Sequence, residues 1–122
     1  MTASEPTRTL LIADDDEDLS RVLVRAFAQR GWLVRTARTG AEAVALARSG
    51  DAIDAAIVDL VLPGTGGLDV VKELRGSNPR CRIIAVSGVA SAAVEEAFLR
   101  AGANLFLAKP MDLDALINAA SG

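Results

Sequence analysis

The chain has 122 residues, enough for one domain and too few for two. It is 51% hydrophobic, yet no apolar run approaches the roughly 20 residues of a membrane span. Its net charge is −3, it has no basic run longer than two residues and no histidine. Direct nucleic-acid binding, Ser/His hydrolysis, His-ligated zinc and a phosphohistidine carrier role are thereby set aside. The N-terminus lacks the apolar stretch of a signal peptide, and the lone Cys81 cannot close an internal disulfide. Both point to the cytoplasm. Cys81 reads as a small residue near the start of a strand rather than as a reactive thiol.

Residues 1–8 read as a polar arm, 9–120 as the folded domain and 121–122 as a tail. Leu10-Leu11-Ile12-Ala13 is a first apolar strand, and Asp14 to Asp18 follow it as five consecutive acids. A helix comes next, with Leu19, Val22, Leu23, Ala26 and Phe27 as its inner stripe. Asp16, Glu17 and Asp18 place negative charge at its N-terminus, favourable against the positive end of the helix dipole, with Asp18 as a capping candidate. Gly31 ends it. Trp32-Leu33-Val34 opens a second strand. Thr39-Gly40-Ala41-Glu42 fits a capping box for a helix to about Arg48, closed by Gly50. Ala55 to Val58 form a third strand that ends on Asp59. A Pro63 to Gly67 loop precedes a helix with Leu68, Val71 and Leu74 inward, broken at Gly76-Ser77-Asn78-Pro79. The fourth strand runs from about Arg82 to Val86, before Ser87. Ser91 is positioned to cap a helix with Val94, Ala97, Phe98 and Ala101 inside, and Gly102 stops it. Leu105 to Ala108 form a fifth strand before Lys109-Pro110. A short helix from near Asp112 holds Leu113, Leu116 and Ile117.

Strict alternation of strand and helix, with strands apolar throughout, predicts a parallel sheet covered on both faces by right-handed crossovers. Asp14, Asp15, Asp59, Ser87 and Lys109 all stand where an apolar run stops. In a parallel sheet those positions share one rim, outside the carboxyl ends of the strands, where ligands bind. Three carboxylates there would repel one another unless a cation or a lysine compensates. A hard divalent ion such as Mg²⁺ fits oxygen ligands of this kind. An EF-hand reading fails, because Leu19 stands in place of the turn glycine and Arg25 in place of the bidentate Glu. Lys109 before Pro110 suggests a rigid peptide, and Pro110 is a cis candidate.

Asp14-Asp15, Asp59-Leu60-Val61-Leu62-Pro63 with Gly67 eight positions after the Asp, Ser87 and Lys109-Pro110 occur in order. On these motifs the chain resembles the receiver domain of bacterial two-component response regulators, from about Thr9 to Ala120. The resemblance implies a doubly wound, five-stranded, flavodoxin-like (βα)5 fold with strand order 2-1-3-4-5. It implies Asp59 as phosphoacceptor from a histidine kinase or histidine phosphotransfer protein. Mg²⁺, with Mn²⁺ able to substitute, would be held by Asp14, Asp15, Asp59 and the backbone carbonyl of Val61. Ser87 would hydrogen-bond a phosphoryl oxygen, and Lys109 would pair with Asp59 before transfer and with the phosphoryl group after it. Ser87 and Phe106 would form the switch, with Phe106 where Tyr is common. Val61 and Val89 would set the rate of dephosphorylation. Output would go to another protein or domain through the face of helix 4, strand 5 and helix 5. The chain would be a stand-alone regulator or a receiver belonging to a larger regulator or hybrid kinase, and not a turnover enzyme.

Three other readings carry their own tests. A haloacid-dehalogenase-like phosphatase would use Asp14 and Asp16 as a D-x-D pair and lose turnover in Asp14→Asn but not in Asp59→Asn. A flavin-binding electron carrier would need hydroxyls and glycines where this chain has acids. A degenerate receiver would lack some of the site residues, and all are present.

Overall fold

The computed structural model describes residues 7–89 and 91–122. Most of the arm, residues 1–6, lies outside the described residues. Five strands and five helices alternate: β1 Thr9–Ala13, α1 Glu17–Ala28, β2 Leu33–Ala37, α2 Gly40–Ala47, β3 Ala55–Asp59, α3 Gly67–Ser77, β4 Arg82–Ser87, α4 Ala92–Ala101, β5 Leu105–Ala108 and α5 Leu113–Ser121. The sheet is parallel in the order β2-β1-β3-β4-β5, the order that the resemblance implies.

Successive side chains of a strand point to opposite faces, so each buried strand feeds two cores. Leu11, Ala13, Ala56, Val58, Ile83 and Ala85 pack under α2, α3 and α4. Leu10, Ile12, Ala55, Ile57, Ile84 and Val86 pack against Leu23 and Phe27 of α1 and Leu116 and Ile117 of α5. This explains the unbroken apolar runs: neither face of the central strands meets water. Register then aligns the strand ends. Ala13 pairs with Ala37 and Val58, Asp59 with Val86, and Ser87 with Ala108.

Several local expectations are corrected. Asp16, not Asp18, caps α1: its carboxylate accepts the Asp18 and Leu19 N–H groups from extended backbone. Thr39 accepts the Glu42 N–H, but Glu42 reaches back to the N–H of Arg38 rather than to that of Thr39. Gly76 and Ser77 remain in α3, which continues to its cap at Asn78. Val22 is exposed, because the wide α1 stripe buries Leu23, Ala26 and Phe27 instead. Ala97 is exposed too; of α4 only Phe98 is fully buried. The Arg8 C=O accepts the N–H of Leu33 in β2, and the Arg8 guanidinium lies 4.1 Å from the Trp32 ring centre.

Cys81 is buried beside Arg75 and Asp54, and burial pushes its thiol up to about 12, more than Arg75 lowers it. The thiolate is the reactive form. The folded protein at pH 8 is therefore expected to resist a water-soluble thiol reagent, with labelling complete only in denaturant. Fast labelling of the native protein would contradict this.

Candidate functional site

The rim is built by backbone bonds that run one residue past the strands. The Asp14 N–H donates to Ala37 O (3.0 Å), the Leu60 N–H to Val86 O (3.0 Å) and the Lys109 N–H to Ser87 O (2.8 Å). These bonds fix where Asp14, Asp59, Ser87 and Lys109 leave the sheet. The Gly67 N–H donates to Leu60 O (3.0 Å), closing the loop after Asp59 and bringing the start of α3 against it.

Four of the expected residues converge. Oxygens of Asp14, Asp15 and Asp59 lie within 4.8 Å of one another, with Asp14 and Asp59 buried and Asp15 exposed. The Lys109 ammonium donates to Asp14 Oδ2 (2.9 Å) and Asp59 Oδ2 (2.8 Å). The second oxygens are also held: Asp14 Oδ1 accepts the Asp16 N–H (2.9 Å) and Asp59 Oδ1 the Val61 N–H (3.1 Å). Burial lowers the Lys109 pKa, but the hydrogen bonds and charges of Asp59 and Asp14 outweigh it and hold the ammonium above the usual lysine range. The Lys109–Pro110 peptide is cis.

Ser87 ends β4, one strand from Asp59, and is fully buried; its hydroxyl accepts the Val89 N–H (2.9 Å). Val61 and Val89 are 65% and 58% exposed, so two apolar side chains face solvent in the loops after Asp59 and Ser87. Phe106 does not join the cluster. It pairs with Ala85 in the sheet and stacks on Phe98 of α4, ring centres 6.1 Å apart. Asp16 does not join it either, since its carboxylate caps α1; the D-x-D reading with Asp14 has no geometry behind it. One feature had no signal in the sequence: Arg38, after β2, pairs with Glu17 at 2.7 Å and draws one acid of the run away toward α2.

Three clustered carboxylate oxygens suit a hard divalent cation. The lysine supplies a second, fixed positive charge beside Asp59. Such a rim can hold an anion rich in oxygen next to a carboxylate nucleophile.

The response regulator receiver domain model matches residues 10–121. Among similar proteins, the photosynthetic apparatus regulatory protein RegA of Cereibacter sphaeroides is 38% identical over 112 residues, 92% of this chain and 60% of RegA. The acid tolerance regulatory protein ActR of Rhizobium meliloti is 37% identical over 114 residues, 93% of this chain and 58% of ActR. The chain thus spans about 60% of the length of these curated relatives. A response regulator of Burkholderia pseudomallei, solved with a phosphorylated aspartic acid, a calcium ion and citrate, superposes with a TM-score of 0.86 at 32% identity, covering 93% of this chain and 66% of that one. A CheY-like receiver domain of Methanospirillum hungatei gives a TM-score of 0.87 at 26% identity, covering 93% and 90%. Family match, flavodoxin-like topology and rim agree: this chain belongs to the response regulator receiver domains of two-component signalling.

Proposed function

We propose that Asp59 accepts a phosphoryl group from a partner's phosphohistidine in a Mg²⁺-dependent reaction. The single observation carrying this reading is the Asp14–Asp15–Asp59 cluster with Lys109 bonded to two of its members. An Asp59 carboxylate oxygen attacks phosphorus, the P–O bond forms, and the P–N bond breaks. The imidazole leaves with its electron pair and takes a proton. The product is an acyl phosphate. The transfer needs positioning and neutralised charge more than covalent chemistry from the protein. The Val61 N–H orients the carboxylate. Lys109 follows the charge: as Asp59 becomes an ester-like acyl group, the ammonium turns to the phosphoryl oxygens. Asp14, Asp15, Asp59 and the Val61 carbonyl would hold the metal, which supplies charge stabilisation at the phosphoryl oxygens. Ser87 would release the Val89 N–H and turn its hydroxyl to a phosphoryl oxygen. Asp59 is then a stoichiometric acceptor rather than the centre of a turnover enzyme. A histidine kinase or phosphotransfer protein is the donor, and the face of α4, β5 and α5 reports to an output protein or domain in the cytoplasm.

Intact mass after incubation with Mg²⁺ and acetyl phosphate tests the reading. Wild type should gain one phosphoryl group, about 80 Da, and Asp59→Asn none. No adduct in either, with Mg²⁺ bound, would overturn it. Colourless purified protein with no flavin absorbance is expected as well.

The valines make a second expectation. Neither side chain can orient a hydrolytic water by hydrogen bonding, so phospho-Asp59 should persist for minutes or longer in Mg²⁺ buffer. Val61→Asn should shorten its half-life about tenfold, the effect of one added hydrogen bond of roughly 1.4 kcal/mol in the transition state. Decay of the wild type within seconds would contradict this account.

A further inference from the structure

We propose that Arg75 pins the C-terminal end of α4, so that α4 answers the state of the rim by swinging its N-terminal half about a fixed end. The inference rests on the phosphoacceptor reading and assigns a positioning residue to it.

Arg75, on α3, uses all of its guanidinium nitrogens at once. Nε and Nη2 donate to Gly102 O (3.0 and 2.7 Å), and Nη2 also to Asn104 Oδ1 (2.9 Å). Nη1 donates to Pro79 O (2.9 Å) and Cys81 O (2.8 Å). Asn104 Oδ1 in turn accepts the Ile83 N–H (2.8 Å), so the end of α4, the start of β5 and the start of β4 meet at one side chain. The fit is close. A Cβ on Gly102, whose φ is +123°, would sit 2.8 Å from Arg75 Cγ and 2.9 Å from its Cβ. A planar, always charged donor fork holds such an arrangement more rigidly than any neutral side chain.

Among the described residues, the opposite end of α4 has no such anchor. Between Ser91 and Ala97 only Val94 is even half-buried, and Phe98 is the first fully buried residue. That end also follows Ser87 through the short loop containing Val89. The two ends are thus tied to different parts of the rim. α3 starts at Gly67, against the carbonyl of Asp59, and through Arg75 fixes the α4 C-terminus relative to the acceptor's backbone. Ser87 acts on the N-terminus. A helix of ten residues is about 15 Å long, so a swing of about 10° moves its free end by about 2–3 Å while the pinned end stays in place. Segments with little buried apolar area are the ones that rearrange at low cost.

Amide hydrogen exchange on the full chain in Mg²⁺, with and without beryllofluoride as a phosphoryl mimic, tests this. In wild type the mimic should protect 59–61 and 87–89, change exchange at 91–97, and leave 99–104 unchanged. In Arg75→Gln the response should spread to 99–104, with exchange there about tenfold faster. Asn104→Ala, which removes one acceptor, should give the same spread more weakly, and serves if Arg75→Gln folds poorly. A merely structural role would raise exchange equally with and without the mimic and leave the response confined; that result would overturn the proposal. So would a uniform α4 response in wild type with the rim protected. Failure of the mimic to protect the rim would overturn the phosphoacceptor reading, and this inference with it.

Discussion

Lys109→Ala is expected to destabilise the protein by about 3 kcal/mol at neutral pH and to slow adduct formation at Asp59 by about 10²–10³-fold. The stability loss comes from what is left behind. Asp14 and Asp59 side chains are 1% and 10% exposed, and both Oδ2 atoms depend on the same ammonium. Removing one partner of a buried ion pair leaves charge that water reaches poorly. The rate loss has a separate origin, since the same ammonium is the fixed charge beside Asp59, the carboxylate proposed to attack phosphorus. Urea denaturation with and without Mg²⁺ separates the two. Added Mg²⁺ should recover much of the stability by binding the folded state, but it should not restore the rate. An unchanged urea midpoint without metal would show that solvent relaxes the pair.

The pH dependence has a defined sign. The folded Lys109 pKa lies above its unfolded value of about 10.4. Its stabilisation is therefore complete below about pH 10 and is lost as pH rises past the ordinary lysine range and through the folded value. The stability difference between wild type and Lys109→Ala should be flat from about pH 6 to 9 and shrink above about pH 10.5.

The rim was legible because it lies where hydrophobicity stops. In a sheet covered on both faces, a polar residue at the end of an apolar run marks the strand's exit, and Asp59, Ser87 and Lys109 each do so. What pattern could not resolve was choice among equivalent residues. Asp16 and Asp18 have the same capping chemistry, and only the extended backbone at Asp16 decides between them. Alanine carries little periodicity signal, so Ala97 could stand on either side of α4. The reach of a long side chain is invisible as well. Nothing in the local sequence joins Arg75 to Gly102, or Lys109 to Asp14 across 95 positions; the fold creates those neighbours. Phe106 shows the converse, since its partner Phe98 belongs to the helix that precedes its strand.

Gly67→Ala tests how closely the fold and the acceptor are joined. A Cβ at Gly67 would lie 2.1 Å from Asp59 O, 2.9 Å from Asp59 C and 2.9 Å from Leu60 Cα. All three are backbone atoms, so no rotamer change relieves the contact. Either α3 shifts away from β3 or the Asp59 carbonyl moves, and both disturb the loop closed by the Gly67–Leu60 hydrogen bond. The expected cost is about 3 kcal/mol, at the upper end for overpacking, with a fall in Tm of about 12 °C. Gly66→Ala is the control: one residue earlier, at φ −73°, a Cβ meets nothing within 4 Å, and the change should stay under about 1 kcal/mol. Phosphoryl uptake should separate the pair in the same direction. Gly66→Ala should accept phosphate at the wild-type rate. Gly67→Ala, even at a temperature where it is fully folded, should be slow, because a displaced Asp59 backbone takes the carboxylate out of line with Lys109 and the Asp14–Asp15 pair. Equal rates in the two folded variants would show that α3 alone yields and that the acceptor's position does not depend on its close approach.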